Sequence, residues 1–153
     1  MTYYMCADEF DAVLCGIYDA WGSGLGHANV RVQIDSDFEY HMFCDYRAAA
    51  VDEEKTKKVI RSVKNKISEE AYFLIYKVFL SNNPDRADVI YRFLIDGFRY
   101  GAKVTQMLKL DSVFRVFEIC RFVGNENHQL LEFIRFEELD NGVLFPASIQ
   151  ETI

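Results

Sequence analysis

Proline is scarce: Pro84 and Pro146 are the only two in 153 residues, which leaves little room for an extended linker. Cysteines number four (Cys6, Cys15, Cys44 and Cys120), and none stands at Cys-x-x-Cys spacing. The three histidines, His27, His41 and His128, form no His-x-x-x-His pair. A zinc ribbon, an iron–sulfur ligand run and a disulfide scaffold all lack their signatures here. The expectation is therefore no metal and no cofactor of the chain's own. Widely spaced cysteines among apolar residues read as buried, reduced thiols, so the expected location is cytoplasmic. Residues 1–20 hold no Lys or Arg and are interrupted by four acids, unlike a secretory leader. No apolar run approaches 18 residues, so no segment is expected to span a membrane.

What is present is core-forming material. Half the residues are hydrophobic and 15% are aromatic, enough for a single domain over 1–153. The net charge of -7 argues against a general nucleic-acid coat protein, which would usually be basic. The charge is unevenly spread, however. Residues 1–50 carry 2 basic and 8 acidic side chains, residues 51–110 carry 12 and 8, and residues 111–153 carry 3 and 8. An anionic partner should meet the middle third.

The periodicity predicts an α+β fold: a bundle of about five helices, short N-terminal strands and a C-terminal β-hairpin. Residues 1–6 and 30–34 read as strands, and 38–46 as strand or extended loop. A helix over 10–21, capped by Asp8, places Phe10, Val13, Leu14, Ile17, Tyr18 and Trp21 on one apolar face. Gly22, Gly24 and Gly26 stop it; they follow a helix and lack the Lys-Ser/Thr of a phosphate loop. Asp52 caps a helix to about Lys66, and Ser68 caps another to about Ser81. Asn83-Pro84 begins a fourth, running to about Lys103, on whose wet face Arg92, Asp96 and Arg99 can pair. Gly97 and Gly101 suit close helix packing and a C-terminal stop.

The stretch 111–136 stands out. From Val113 to Val123 the only polar residues are Arg115, Glu118 and Arg121, one narrow stripe on a helix capped by Asp111. So much apolar girth predicts the central helix of the bundle. A polar cluster follows, Gly124-Asn125-Glu126-Asn127-His128, then the alternating Phe133-Ile134-Arg135-Phe136. Asp140-Asn141-Gly142 supplies the tight turn of a hairpin ending near Ile149, with one edge left uncovered.

Two groups of residues carry candidate chemistry. A turn could bring the Glu126 carboxylate to the His128 imidazole and orient it as a general base, with Arg135 binding phosphate or carboxylate bidentately. The same three residues could equally form a structural network that fastens the helix end to the hairpin. The second group is the run Lys55, Lys57, Lys58, Arg61, Lys64, Lys66. Within it Lys57, Arg61 and Lys64 fall at i, i+4, i+7 on one helix face that could track phosphates, with Lys58 alongside. No aromatic residue is interleaved there to stack a base, and a solvated helix face accounts for the run as well.

The sequence resembles a bacterial family of DNA-metabolism proteins encoded beside a radical-SAM protein of DNA modification or repair. Some members are fused to a domain similar to uracil-DNA glycosylase. The likeness is carried by Tyr4, Phe10 and Tyr18; by Glu54, Lys55 and Val59; by Phe79-Leu80-Ser81; and by Gly101, Asp111 and Val113. It is carried above all by Val123-Gly124-x-Glu126-x-His128 followed by Phe133-Ile134-Arg135-Phe136. Glu132 stands where that family usually has Gly, and its members run on several tens of residues past the hairpin, so the chain reads as a fragment or a shortened member. The resemblance implies an accessory of DNA metabolism or repair, partnered by a radical-SAM or glycosylase-like enzyme and by DNA. The alternatives are an enzyme on nucleic acid using Glu126, His128 and Arg135, and an interaction module that self-associates through the hairpin edge.

Overall fold

The computed structural model describes residues 1–37 and 40–123. The fold is α+β and mainly helical. Three strands, β1 (Thr2–Cys6), β2 (Val30–Ile34) and β3 (Asp45–Ala48), form a parallel sheet in the order β2-β1-β3. Thr2 pairs with Val30 on one side and with Asp45 on the other. The expected strands at 1–6 and 30–34 are both present, and the third occupies only the end of the ambiguous 38–46 stretch and runs past it. The hairpin over 132–149 lies outside the described residues.

Parallel neighbours need a crossover, and α1 (Phe10–Gly22) provides it between β1 and β2. Its buried residues include every position from Ala12 to Ile17, because the helix is pressed between the sheet and the other helices. The cap differs from expectation. Glu9 occupies the N-cap without a side-chain bond, and Asp8 instead takes an ion pair at 2.8 Å from Arg86. A buried guanidinium outcompetes an exposed backbone amide for that carboxylate.

Helices α2 (Glu53–Lys66) and α3 (Glu69–Leu80) start where their caps dictate. Asp52 accepts from the Glu54 amide at 2.9 Å and Ser68 from the Ala71 amide at 3.0 Å. Acids fill both first turns and lysines the last turns, which suits the helix dipole. Helix α4 (Arg86–Tyr100) begins two residues later than Pro84 suggests. The Asn83 side chain caps a preceding turn, accepting from the Asp85 amide at 2.8 Å. Gly101, at φ +71°, ends α4 and opens a 3-10 stretch, Gly101–Gln106.

The last described helix, α5, covers 111–123. Asp111 is its first residue and not its cap, since the Phe114 amide already bonds to the Leu110 carbonyl at 3.0 Å. Nor, among the described residues, is α5 the central helix. Val113, Val116, Ile119, Cys120 and Val123 are buried, but Phe114 and Phe122 are 54% and 68% exposed beside Arg115, Glu118 and Arg121. Among the described residues the centre is α4, which buries Tyr91 and Phe93, the two largest fully enclosed side chains. Its Gly97 abuts Ile67 at the end of α2.

Candidate nucleic-acid interface

The four predicted phosphate-binding residues, Lys57, Lys58, Arg61 and Lys64, all lie exposed on α2. The helix has a clear division. Thr56, Val59 and Val63 are buried, so successive turns leave two stripes on the outside. Lys57, Arg61 and Lys64 make the outer stripe. Lys57 reaches Glu53 at 3.3 Å, an exposed i,i+4 pair worth only about 0.3–0.5 kcal/mol, so it remains available to an anion. The Lys64 ammonium sits 4.7 Å over the Tyr72 ring of α3, a cation–π contact that positions it without neutralising it.

Lys58 belongs to the other stripe, with Ser62 and Lys66. These three line a cleft of about 530 Å³ whose opposite walls are Ile17, Tyr18 and Trp21 of α1 and Leu94 and Phe98 of α4. Tyr18 and Trp21, expected in the core, are instead 37% and 38% exposed. The indole packs edge-on against His27, Tyr91 and Phe98, at centroid distances of 4.6, 5.9 and 5.3 Å. Behind it, His27 Nδ1 lies 2.6 Å from the Tyr91 hydroxyl. Burial, and then the charge of Arg92, lowers the His27 pKa below its usual 6.5, while burial pushes Tyr91 up to about 12. The phenol keeps its proton and can donate to Nδ1 of a neutral imidazole. Near Tyr18, Lys55 bonds Asp19 at 2.8 Å and ties α2 to α1; that hydrogen bond raises the Lys55 pKa.

Sequence reasoning missed this cleft. The lysine run shows no interleaved aromatic because the aromatics of the cleft come from α1 and α4, remote from α2 in sequence. The i, i+4, i+8 spacing of Lys58, Ser62 and Lys66 was the one legible sign.

A second groove, of about 440 Å³, is lined by acids and arginines, several of which are engaged in contacts between elements. Arg92 bonds Asp88 at 3.3 Å and the His27 and Val30 carbonyls at 2.5 Å, and Arg115 meets Asp85 at 3.5 Å. Ser112 donates to Asp96, holding the start of α5 against α4. The expected Arg92–Asp96–Arg99 ladder is thereby replaced: Arg92 turns toward β2 and Asp96 toward α5. This groove is a clamp between elements.

Glu126, His128 and Arg135 lie outside the described residues. Among the described residues no group of three His, Cys, Asp or Glu side chains could hold a metal ion. No helix there is long and apolar enough to cross a membrane.

A helix-dominated α+β unit with a basic helix beside an aromatic cleft is thus the class the geometry defines. Residues 84–152 match the family model DUF4130, described as a domain of unknown function. That match begins just before α4 and takes in α5 and the 123–136 motif. No curated protein and no solved structure matches the chain.

Proposed function

We propose that the chain is an accessory protein of DNA metabolism or repair that binds DNA through α2 and works beside a radical-SAM or glycosylase-like enzyme. The partner comes from the family resemblance alone. The observation that supports DNA as the target is the outer stripe of α2, where Lys57, Arg61 and Lys64 stand exposed on one face in an otherwise acidic chain. A run of cations with a helix-face spacing can follow a phosphate backbone, whereas the surrounding acids would repel it elsewhere and fix the contact to this face. The role is binding and presentation: the outer stripe holds no nucleophile paired with a base.

The test is a salt titration of labelled single-stranded and duplex DNA binding. Three phosphate contacts on a single strand correspond to a slope of log affinity against log salt of about -2. Binding that ignores salt, or no binding of either form at low salt together with no co-purification of the neighbouring enzyme, defeats the proposal.

A further inference from the structure

We infer that the cleft between α1, α2 and α4 receives the base of one unstacked nucleotide of a DNA single strand, with Lys58 and Lys66 holding the phosphates on its two sides. This rests on the reading of α2 as the DNA-binding helix and names what that helix would present to the site behind it.

The argument begins with Trp21. It is the only tryptophan in the chain, yet 38% of it is open to solvent at the cleft. A large aromatic left partly exposed loses burial free energy, but this one is not loose. T-shaped contacts with His27, Tyr91 and Phe98 hold the ring in place. An indole fixed by its neighbours and still 38% exposed where it lines the cleft can serve as a stacking platform, and every base offers a π-face to it. Phe98 and Tyr18 make the walls aromatic as well. The volume of about 530 Å³ suits a small-molecule-sized group.

The charges select the ligand's chemistry. Lys58 and Lys66 line the same cleft, and among the described residues neither makes an ion pair. Eight residues apart on one helix, they stand about 12 Å from each other along its axis. An apolar acid has one anionic head and would use one lysine. A nucleotide within a strand has a phosphate on each side of its base and would use both. Between them the Ser62 hydroxyl can donate to or accept from a base edge. The outer stripe, Lys57, Arg61 and Lys64, runs along the same helix and would carry the flanking backbone.

Because Trp21 is the sole tryptophan, its emission reports on the cleft directly. Three ligands are titrated into the full chain: a single-stranded oligodeoxythymidylate, an abasic phosphodiester of the same length, and free thymidine monophosphate. Binding is followed in parallel by anisotropy of an end label on the two strands. The expected result is saturable quenching by the base-bearing strand and none by the abasic strand. Trp21→Ala then weakens the base-bearing strand by about tenfold or more and leaves the abasic strand unchanged. Ser62→Phe, which fills the cleft, removes the quenching; Lys66→Gln, at an exposed position, lowers affinity several-fold. Strand binding by anisotropy with no change in Trp21 emission, or equal quenching by the abasic strand, overturns the inference while the DNA-binding reading of α2 stands. Free mononucleotide bound as tightly as the strand overturns the assignment to a strand. No binding of either strand overturns the inference, and failure of duplex DNA to bind as well, together with no co-purification of the neighbouring enzyme, overturns both readings.

Discussion

Gly16 of α1 lies directly over Cys6 of β1: a Cβ added to Gly16 would collide with the Cys6 sulfur and come within 3.2 Å of Val32 Cγ1. The crossover helix can approach the sheet this closely only because residue 16 has no side chain. Gly16→Ala is expected to destabilise the protein by about 1–3 kcal/mol. Cys6→Ala in the same chain should restore part of that loss, so the double-mutant cycle will be non-additive. Gly22→Ala is the control. An added Cβ there meets nothing within 4 Å, so thermal melts should show a change of a few tenths to about 1 kcal/mol in the stabilising direction.

Burial pushes the Cys6 thiol up to about 12 and the Cys120 thiol up to about 11. Cys15 is also enclosed, and Cys44 is only half-buried. A thiol reagent at neutral pH should therefore modify Cys44 promptly and the other three only as the protein unfolds. Rapid modification of Cys6 in the native protein would contradict the packing of β1 under α1.

His27 gives a pH dependence with a definite sign. Its folded pKa lies below the ordinary 6.5, so the unfolded chain binds the proton more readily. Its contribution to stability is fully present above about pH 6.5. That contribution is lost as pH falls below the unfolded value. Denaturant midpoints measured between pH 7.5 and 5 should decline for the wild type and decline less for His27→Gln. Tyr91→Phe, which removes the hydroxyl bonded to Nδ1, should cost about 1 kcal/mol at neutral pH.

Arg86 is buried, while its partner Asp8 is 54% exposed. The two ends of this pair should respond unequally. Arg86→Met keeps much of the packing against Phe79 and leaves a carboxylate that water can solvate. Asp8→Ala takes a 2.8 Å carboxylate contact from a buried cation, and should cost about 1–2 kcal/mol more. Equal losses in urea denaturation would contradict this asymmetry.

Local signals in the chain were legible and tertiary ones were not. Asp52 and Ser68 announced α2 and α3 because a capping side chain acts within three residues of its target. Gly101 announced the end of α4 for the same reason. Asp8 misled, since its real partner, Arg86, lies 78 positions away. The apolar run in α5 misled in another way: hydrophobicity around the girth predicts burial only if neighbours exist on every side, and Phe114 and Phe122 face outward. At the candidate site, the outer lysines followed from spacing alone. The cleft did not, because Trp21 and Phe98 reach Lys58 and Lys66 only once α1 and α4 have packed beside α2.

The central claim is that α2 contacts DNA through Lys57, Arg61 and Lys64. Its most direct measurement compares the wild type with the Lys57→Glu, Arg61→Glu, Lys64→Glu triple variant for labelled single-stranded and duplex DNA at low salt, with circular dichroism to show that both are folded. The account predicts salt-sensitive binding by the wild type that the folded variant loses, along with its salt slope. Undiminished binding by the triple variant, or none by the wild type, would contradict it.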